Sequence, residues 1–213
     1  MATWTTTGVN AVPTGWTVVT EEPQDYLAFR FVESGIFYWY TSNESSFTRT
    51  IEYKKNADAW TSVTSSADGT VCTVENGDVI QLRGADQAYS ASSYYCSFGT
   101  SGRAYVSGNL DSIRNYNHKL TGYCYRNLFY NCVNIDIDPT NDLVLVSRSL
   151  AEQCYRGLFD GCTSLTRTPE LPARSLVNAC YSRMFEGCTS LTTMPSSSIA
   201  RSEERFSRNA ETD

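Results

Sequence analysis

The sequence predicts a β-rich N-terminal sandwich followed by an α/β solenoid of about three units, and three observations carry that reading. Residues 154–169 read CYRGLFDGCTSLTRTP and residues 180–195 read CYSRMFEGCTSLTTMP, the same phrase written twice, 26 positions apart. Internal repetition at such a period is the signature of stacked supersecondary units. The first half instead shows alternating and β-branched runs separated by Gly-containing turn dipeptides, with no helical period before about residue 113.

Strand signals come first along the chain. YLAFRFVE (26–33) alternates, IFYWYT (36–41) is dense in aromatics, and TVCTV (70–74) and DVIQL (78–82) are β-branched. Asn76-Gly77 between the last two predicts a type I′ hairpin, because both central positions of that turn need positive φ. Asp68-Gly69 and Ser34-Gly35 mark two further turns. Together these place an immunoglobulin-like β-sandwich module at 24–116, preceded by an arm over 1–23 that carries Trp4 and Trp16.

The repeats occupy 117–200. They align on Leu120, Leu150 and Leu176, each followed by Cys-Tyr at Cys124, Cys154 and Cys180. Each continues through Leu128-Phe129, Leu158-Phe159 or Met184-Phe185 to Cys132, Cys162 or Cys188, then Ile135, Leu165 or Leu191, then Pro139, Pro169 or Pro195. Four extra residues stretch the first period to 30. Leu150, Cys154 and Leu158 fall at i, i+4 and i+8, which predicts a short amphipathic helix per unit. Gly161 and Gly187 sit where a helix C-cap would be, with Asn131 in that place in the first unit. A short extended piece (164–168, 190–194) would then build a thin parallel sheet.

The pattern L-x3-CY-x2-[LM]F-x-GCTSL-x3-P resembles the BspA-like leucine-rich repeat of surface proteins of gut Bacteroidetes and their phages, strongly over 117–200. The stretch IEYKKNADAWTSVTSSADGTVCTVENGDVIQLRG is more loosely similar to the β-rich module that often precedes such repeats. The resemblance implies an α/β leucine-rich-repeat solenoid in a surface-displayed or extracellular binding and adhesion protein, with no catalytic residues to carry over. Its partner would be a host or cell-surface protein or glycan.

Composition narrows the function classes. The chain has 213 residues, 41% hydrophobic and 13% aromatic, enough for packed domains. Lys+Arg number 17 against 23 Asp+Glu, a net charge of −6, with no basic run interleaved with aromatics, which argues against a nucleic-acid partner. No stretch approaches the roughly 18 apolar residues of a membrane span. The start, MATWTTTGVNAVPTGW, shows no charged segment followed by an apolar one, so either export does not use that route or the true start lies upstream. A bacterial surface adhesin predicts an upstream export signal; a phage virion component, such as a tail or receptor-binding part, fits the signal-free start.

The last thirteen residues, RSEERFSRNAETD (201–213), translate from a DNA string that resembles a short-read sequencing adaptor, and are read as an artefactual tail. Repeats cut off near Ala200 would leave an uncapped apolar end, which predicts self-association through it.

Each candidate for chemistry has a bland competitor. The six repeat cysteines form three C-x7-C pairs; zinc sites favour closer spacings, and eight helical residues separate two Cα atoms by about 12 Å, beyond disulfide reach. Small apolar filler between units is the favoured role, with cross-unit disulfides and a Cys72–Cys96 bridge left open. His118 is the only histidine, and no G-x-S-x-G nucleophile context accompanies it. Asp136, Asp138 and Asp142 could bind calcium or sit in a solvated loop; the glycine and distal Glu of an EF-hand are missing. Phe37, Tyr38, Trp39 and Tyr40 offer a stacking platform, although alternate residues of a strand face opposite ways. The sequence therefore assigns no catalytic, metal or cofactor site, and points to a non-enzymatic binding protein.

Overall fold

A computed structural model describes residues 25–192. The arm with Trp4 and Trp16, Pro195, the Ala200 end and the 201–213 tail lie outside the described residues.

Two sheets face each other. The larger contains β1 (Leu27–Phe31), β3 (Thr50–Lys55), β4 (Thr61–Thr64), β6 (Val79–Arg83) and β8 (Ala104–Asn109), joined by two short strands, β9 (Ile135–Ile137) and β10 (Leu143–Val144). The smaller is β5 (Thr70–Val74), β2 (Gly35–Thr41) and β7 (Cys96–Thr100), with β2 in the middle. The chain alternates between them, so β1 and β2 lie in opposite sheets and so do β5 and β6. Alternation in β1 and β2 turns Phe29, Phe31, Phe37 and Trp39 inward, where all are fully buried. Phe29 of the large sheet lies 5.0 Å from Phe37 and 5.5 Å from Phe98 of the facing small sheet, within which Trp39 stacks on its cross-strand neighbour Phe98 at 4.5 Å. Edge-to-face and offset contacts of this kind add to the burial itself.

The expected Asn76-Gly77 hairpin is not formed. Of the pair only Gly77 takes positive φ, 94°, and a bond from the Asp78 N–H to the Glu75 carbonyl closes a turn of the type that needs glycine at its third position. That turn carries the chain from the small sheet to the large one. β5 pairs with β2, and β6 with β1 and β3, because the aromatic core decides strand partners over the local dipeptide.

The expected α/β leucine-rich-repeat solenoid is overturned in the second half. The fold is nearly all β, and the described residues contain no α-helix; the one helical segment is a 3₁₀ turn at Leu110–Arg114. Each would-be helix is a run of tight turns with a left-handed residue every fourth position: Tyr123, Asn127 and Asn131, then Gln153, Gly157 and Gly161, then Ala179, Arg183 and Gly187. A left-handed residue once per turn breaks the i to i−4 ladder of an α-helix. The backbone donors alternate instead. Cys154, Arg156, Leu158, Asp160 and Cys162 donate to carbonyls three residues back in their own unit, at 3.0 to 3.3 Å. Gln153, Tyr155, Gly157, Phe159 and Gly161 donate to Asn178, Cys180, Ser182, Met184 and Glu186 of the next, at 2.8 to 3.1 Å. Tyr123, Tyr125, Asn127, Phe129 and Asn131 bond the second unit in the same way.

The parallel sheet expected along the units is also reduced. Among the described residues only the first unit and the loop after it supply strands, β9 and β10, and both pair parallel with β8 of the front sheet rather than with another unit. Segment 164–168 forms no strand; the Thr166 N–H and hydroxyl bond the Asp136 carboxylate at 2.9 and 2.6 Å.

Apolar side chains nevertheless fall in columns. Phe129, Phe159 and Phe185 stack at 5.1 and 5.7 Å with ring planes within 4° of parallel, and Tyr125, Tyr155 and Tyr181 at 5.6 and 5.7 Å. Leu120, Cys124, Leu128, Cys132, Cys154, Leu158, Cys162, Leu165, Cys180 and Met184 are buried beside them, while Leu150, Leu176, Phe185, Cys188 and Leu191 are half-buried against the same core.

The front sheet closes the near end of these columns. The Phe98 N–H in β7 donates to the Leu128 carbonyl at 2.8 Å, Tyr89 N–H to Cys124 at 2.8 Å, and the Ser97 hydroxyl to Tyr130 at 3.3 Å. Carbonyls that receive donors from a preceding unit elsewhere receive them here from β7 and its approach. The edge of β7 that would be exposed in an isolated sheet is thereby paired.

Candidate functional site

The outer face of the small sheet presents what the core leaves over. Phe37 and Trp39 point inward, whereas Tyr38 and Tyr40 point outward, half-buried, with rings 5.1 Å apart and 14° from parallel. Gly69 and Gly99, on the segments either side of β2, make room for the Tyr40 ring; a β-carbon at either would collide with it. Gly69 also needs its positive φ of 69°.

Beside Tyr40 a cleft of about 240 Å³ opens, walled by Ser42, Tyr95, Ser97, Gly99 and Tyr130. Tyr95 is fixed by reciprocal bonds with Ser42, its N–H to the Ser42 hydroxyl at 2.9 Å and its carbonyl to the Ser42 N–H at 2.9 Å. Its ring meets Tyr130 of the first repeat edge-on at 5.6 Å. Burial holds the Tyr40 and Tyr95 phenols above their ordinary range, with the neighbouring Tyr38 and Tyr130 adding to it. Both are therefore neutral hydroxyls at physiological pH, able to donate and accept.

A second cleft of about 200 Å³ shares Tyr95 and Tyr130 and continues over Arg126, Arg156, Asp160 and Arg183. Arg126 is clamped by its Nη1, which donates to the carbonyls of Ser92 at 2.6 Å and Ala91 at 3.2 Å. Its Nε is shut off from solvent and has no acceptor. Arg156 Nη1 donates to the Gln153 side chain at 2.9 Å. Arg183 is paired with Glu186 at 2.7 Å. Burial, and then Glu186, hold the Asp160 carboxyl above its usual range.

The residues weighed from the sequence divide differently. His118 is exposed, and its Nδ1 lies 2.8 Å from Asp111 Oδ2; Asp111, itself buried, also takes the Tyr125 hydroxyl at 2.6 Å. The Ser147 hydroxyl bonds the His118 carbonyl, not its ring. The cluster ties the 3₁₀ turn to the first repeat. The three aspartates do not converge: Asp136 holds Thr166, Asp138 is paired with Arg30, and Asp142 with Arg167 at 3.0 Å. Asp136 and Asp138 are buried, whereas residues 139–142 are an exposed loop, so the solvated-loop reading holds for the second part of the segment alone.

All eight cysteines are free thiols. Cys72 and Cys96 sit on β5 and β7, which flank β2 on opposite sides, two strand spacings or about 10 Å apart. That exceeds disulfide reach. Burial pushes the Cys124 and Cys132 thiols up to about 12 and those of Cys154 and Cys188 up to about 11, so they stay protonated and unreactive at neutral pH. The Cys162 and Cys188 thiols also face the Phe129 and Phe159 carbonyls of the preceding unit, at 3.0 and 3.1 Å.

Of the aromatic platform the structure keeps Tyr38 and Tyr40 outside and removes Phe37 and Trp39 to the core. Sequence reasoning missed Tyr95, Tyr130, Arg126 and Arg156. Both arginines directly follow the Cys-Tyr of their units, a signal present in the sequence but overshadowed by the apolar pattern. Among the described residues no group of three or more metal-type ligands is gathered, and no helix is long and apolar enough to cross a membrane. In comparisons with known proteins, the chain matches no family model, no curated protein and no solved structure.

Proposed function

We propose that this chain is a non-catalytic recognition protein, displayed at a surface, that binds a cell-surface glycan in the cleft between the small sheet and the first repeat. The observation that carries the reading is the grouping of Tyr40, Tyr95 and Tyr130 around one cleft, with Tyr38 stacked alongside. Tyrosine offers an apolar face for a sugar ring and a hydroxyl for its polar edge, at low conformational cost. At about 240 Å³ the cleft is smaller than the usual small-molecule pocket and of a size for one sugar residue of a longer chain. Among the described residues the buried thiols and the structural engagement of His118 leave no activated thiol or histidine-based nucleophile at the cleft, which supports binding over turnover.

The test is a glycan array probed with the intact chain, followed by titration of the best ligand against Tyr40→Ala and Tyr130→Ala. Each variant is expected to bind at least tenfold more weakly, about 1.4 kcal/mol, with an unchanged circular dichroism spectrum. Undiminished binding by both would remove the site from this cleft. An array with no binding, alongside saturable binding to a surface protein, would replace the glycan with a protein partner.

A further inference from the structure

We propose that the sugar bound in this cleft is acidic, and that its carboxylate or sulfate group is held by Arg126 and Arg156 while its ring rests on Tyr95 and Tyr130. The inference rests on the glycan reading above and names the chemistry of the ligand.

The two arginines occupy the same place in successive units. The Asn127 N–H donates to the Arg156 carbonyl at 3.0 Å, so the backbones that carry them are in register, and both side chains line one cleft. Neither guanidinium has a carboxylate within ion-pair distance among the described residues, whereas Arg183, in the same cleft, is taken by Glu186. Two like charges lining one space repel each other. Burial and then Arg156 hold Arg126 below its ordinary range, in keeping with that repulsion.

The geometry is fixed before any ligand arrives. The Ala91 and Ser92 carbonyls anchor one edge of the Arg126 guanidinium, and its Nε remains without an acceptor. With Nη1 committed to these carbonyls and Nε sealed, Arg126 meets an anion through Nη2. Guanidinium groups take carboxylate and sulfate oxygens in pairs of parallel bonds, a match that a lysine ammonium lacks. Asp160 lines the same cleft with Glu186 and Arg183 as its charged neighbours, so an anion is disfavoured beside it and the Arg126–Arg156 pair is the seat.

The rest of the molecule makes this local charge selective. The chain carries a net charge of −6, so its general field disfavours anions and only a defined seat can hold one. The tyrosines shared by the two clefts make the ring and the acid group simultaneous contacts rather than alternatives.

The experiment is calorimetric titration of the intact chain with three tetrasaccharides: a galacturonate (carboxylate), a sulfated galactan (sulfate ester) and a neutral galactan. At least one acidic probe is expected to bind at least tenfold tighter than the neutral one, with affinity falling as salt rises; which one binds separates carboxylate from sulfate. Arg156→Gln is expected to erase that preference, and Arg156→Lys to restore only part of it. Since among the described residues Arg156 bonds only the Gln153 side chain through its guanidinium, folding should be spared, and unchanged melting of both variants checks this. Equal binding of acidic and neutral probes would overturn the acidic seat and leave the glycan reading standing. No binding of any tetrasaccharide, together with a blank glycan array, would overturn both.

Discussion

Replacing Phe159 with alanine should cost about 3–5 kcal/mol of stability, the range for removing a large ring from a filled core. Phe159 is fully buried between Phe129 at 5.1 Å and Phe185 at 5.7 Å, with planes within 4° of parallel on both sides. Its truncation opens a gap in the middle of the column, and neighbouring rings cannot close in because the backbones are held apart by five cross-unit bonds on each side. Phe185→Ala should cost less, since Phe185 is only half-buried. Urea unfolding of the two variants measures the difference. A loss below about 1 kcal/mol for Phe159→Ala would mean that the column contributes little to the fold.

The column shows which parts of the fold the sequence discloses. Strands β1, β2, β5 and β6 were legible because alternation or β-branching marks one buried face. β7, CSFGT, was not, because all five residues are buried: the first repeat docks on its free edge, and the alternation that signals a half-exposed strand vanishes. In the repeats the failure lies in the period. Leu150, Cys154, Leu158 and Cys162 recur every four residues, which fits a helix of 3.6 nearly as well as a chain that turns once in four. The discriminating mark is the residue one place before each of Cys154, Leu158 and Cys162. Gln153, Gly157 and Gly161 stand there, and all three are left-handed. Two glycines four apart argue against a helix interior, but Gln153, Ala179 and Arg183 take the same conformation without any compositional hint. The two clefts were legible only in part. Tyr40 announces itself in β2, whereas Tyr95 lies between strands with no periodic signal, and only the meeting of distant segments gives it a role.

The tyrosine column carries the second large effect, and here the three units are not equivalent. Tyr125→Phe should destabilise the protein by about 1.5–3 kcal/mol, the range for a bond to a charged group. Its hydroxyl donates to Asp111 at 2.6 Å, and Asp111 is buried, with His118 on its other oxygen. Removing that hydroxyl leaves a carboxylate oxygen with one donor fewer in a place water does not reach. Tyr155→Phe should instead be neutral or raise stability by up to about 1 kcal/mol, because the Tyr155 hydroxyl is buried with no partner and its loss removes only an unmet desolvation cost. The ring contacts are nearly the same at both positions, 5.6 Å between Tyr125 and Tyr155 and 5.7 Å between Tyr155 and Tyr181, so the comparison isolates the hydroxyl. Thermal unfolding of the two variants decides it. Equal losses would show that the Tyr155 hydroxyl has an acceptor after all, and equal indifference would show that Asp111 does not depend on Tyr125. The contrast locates where the repeats are joined to the front sheet: one tyrosine of the column is a polar anchor to the 3₁₀ turn, and the next is packing alone.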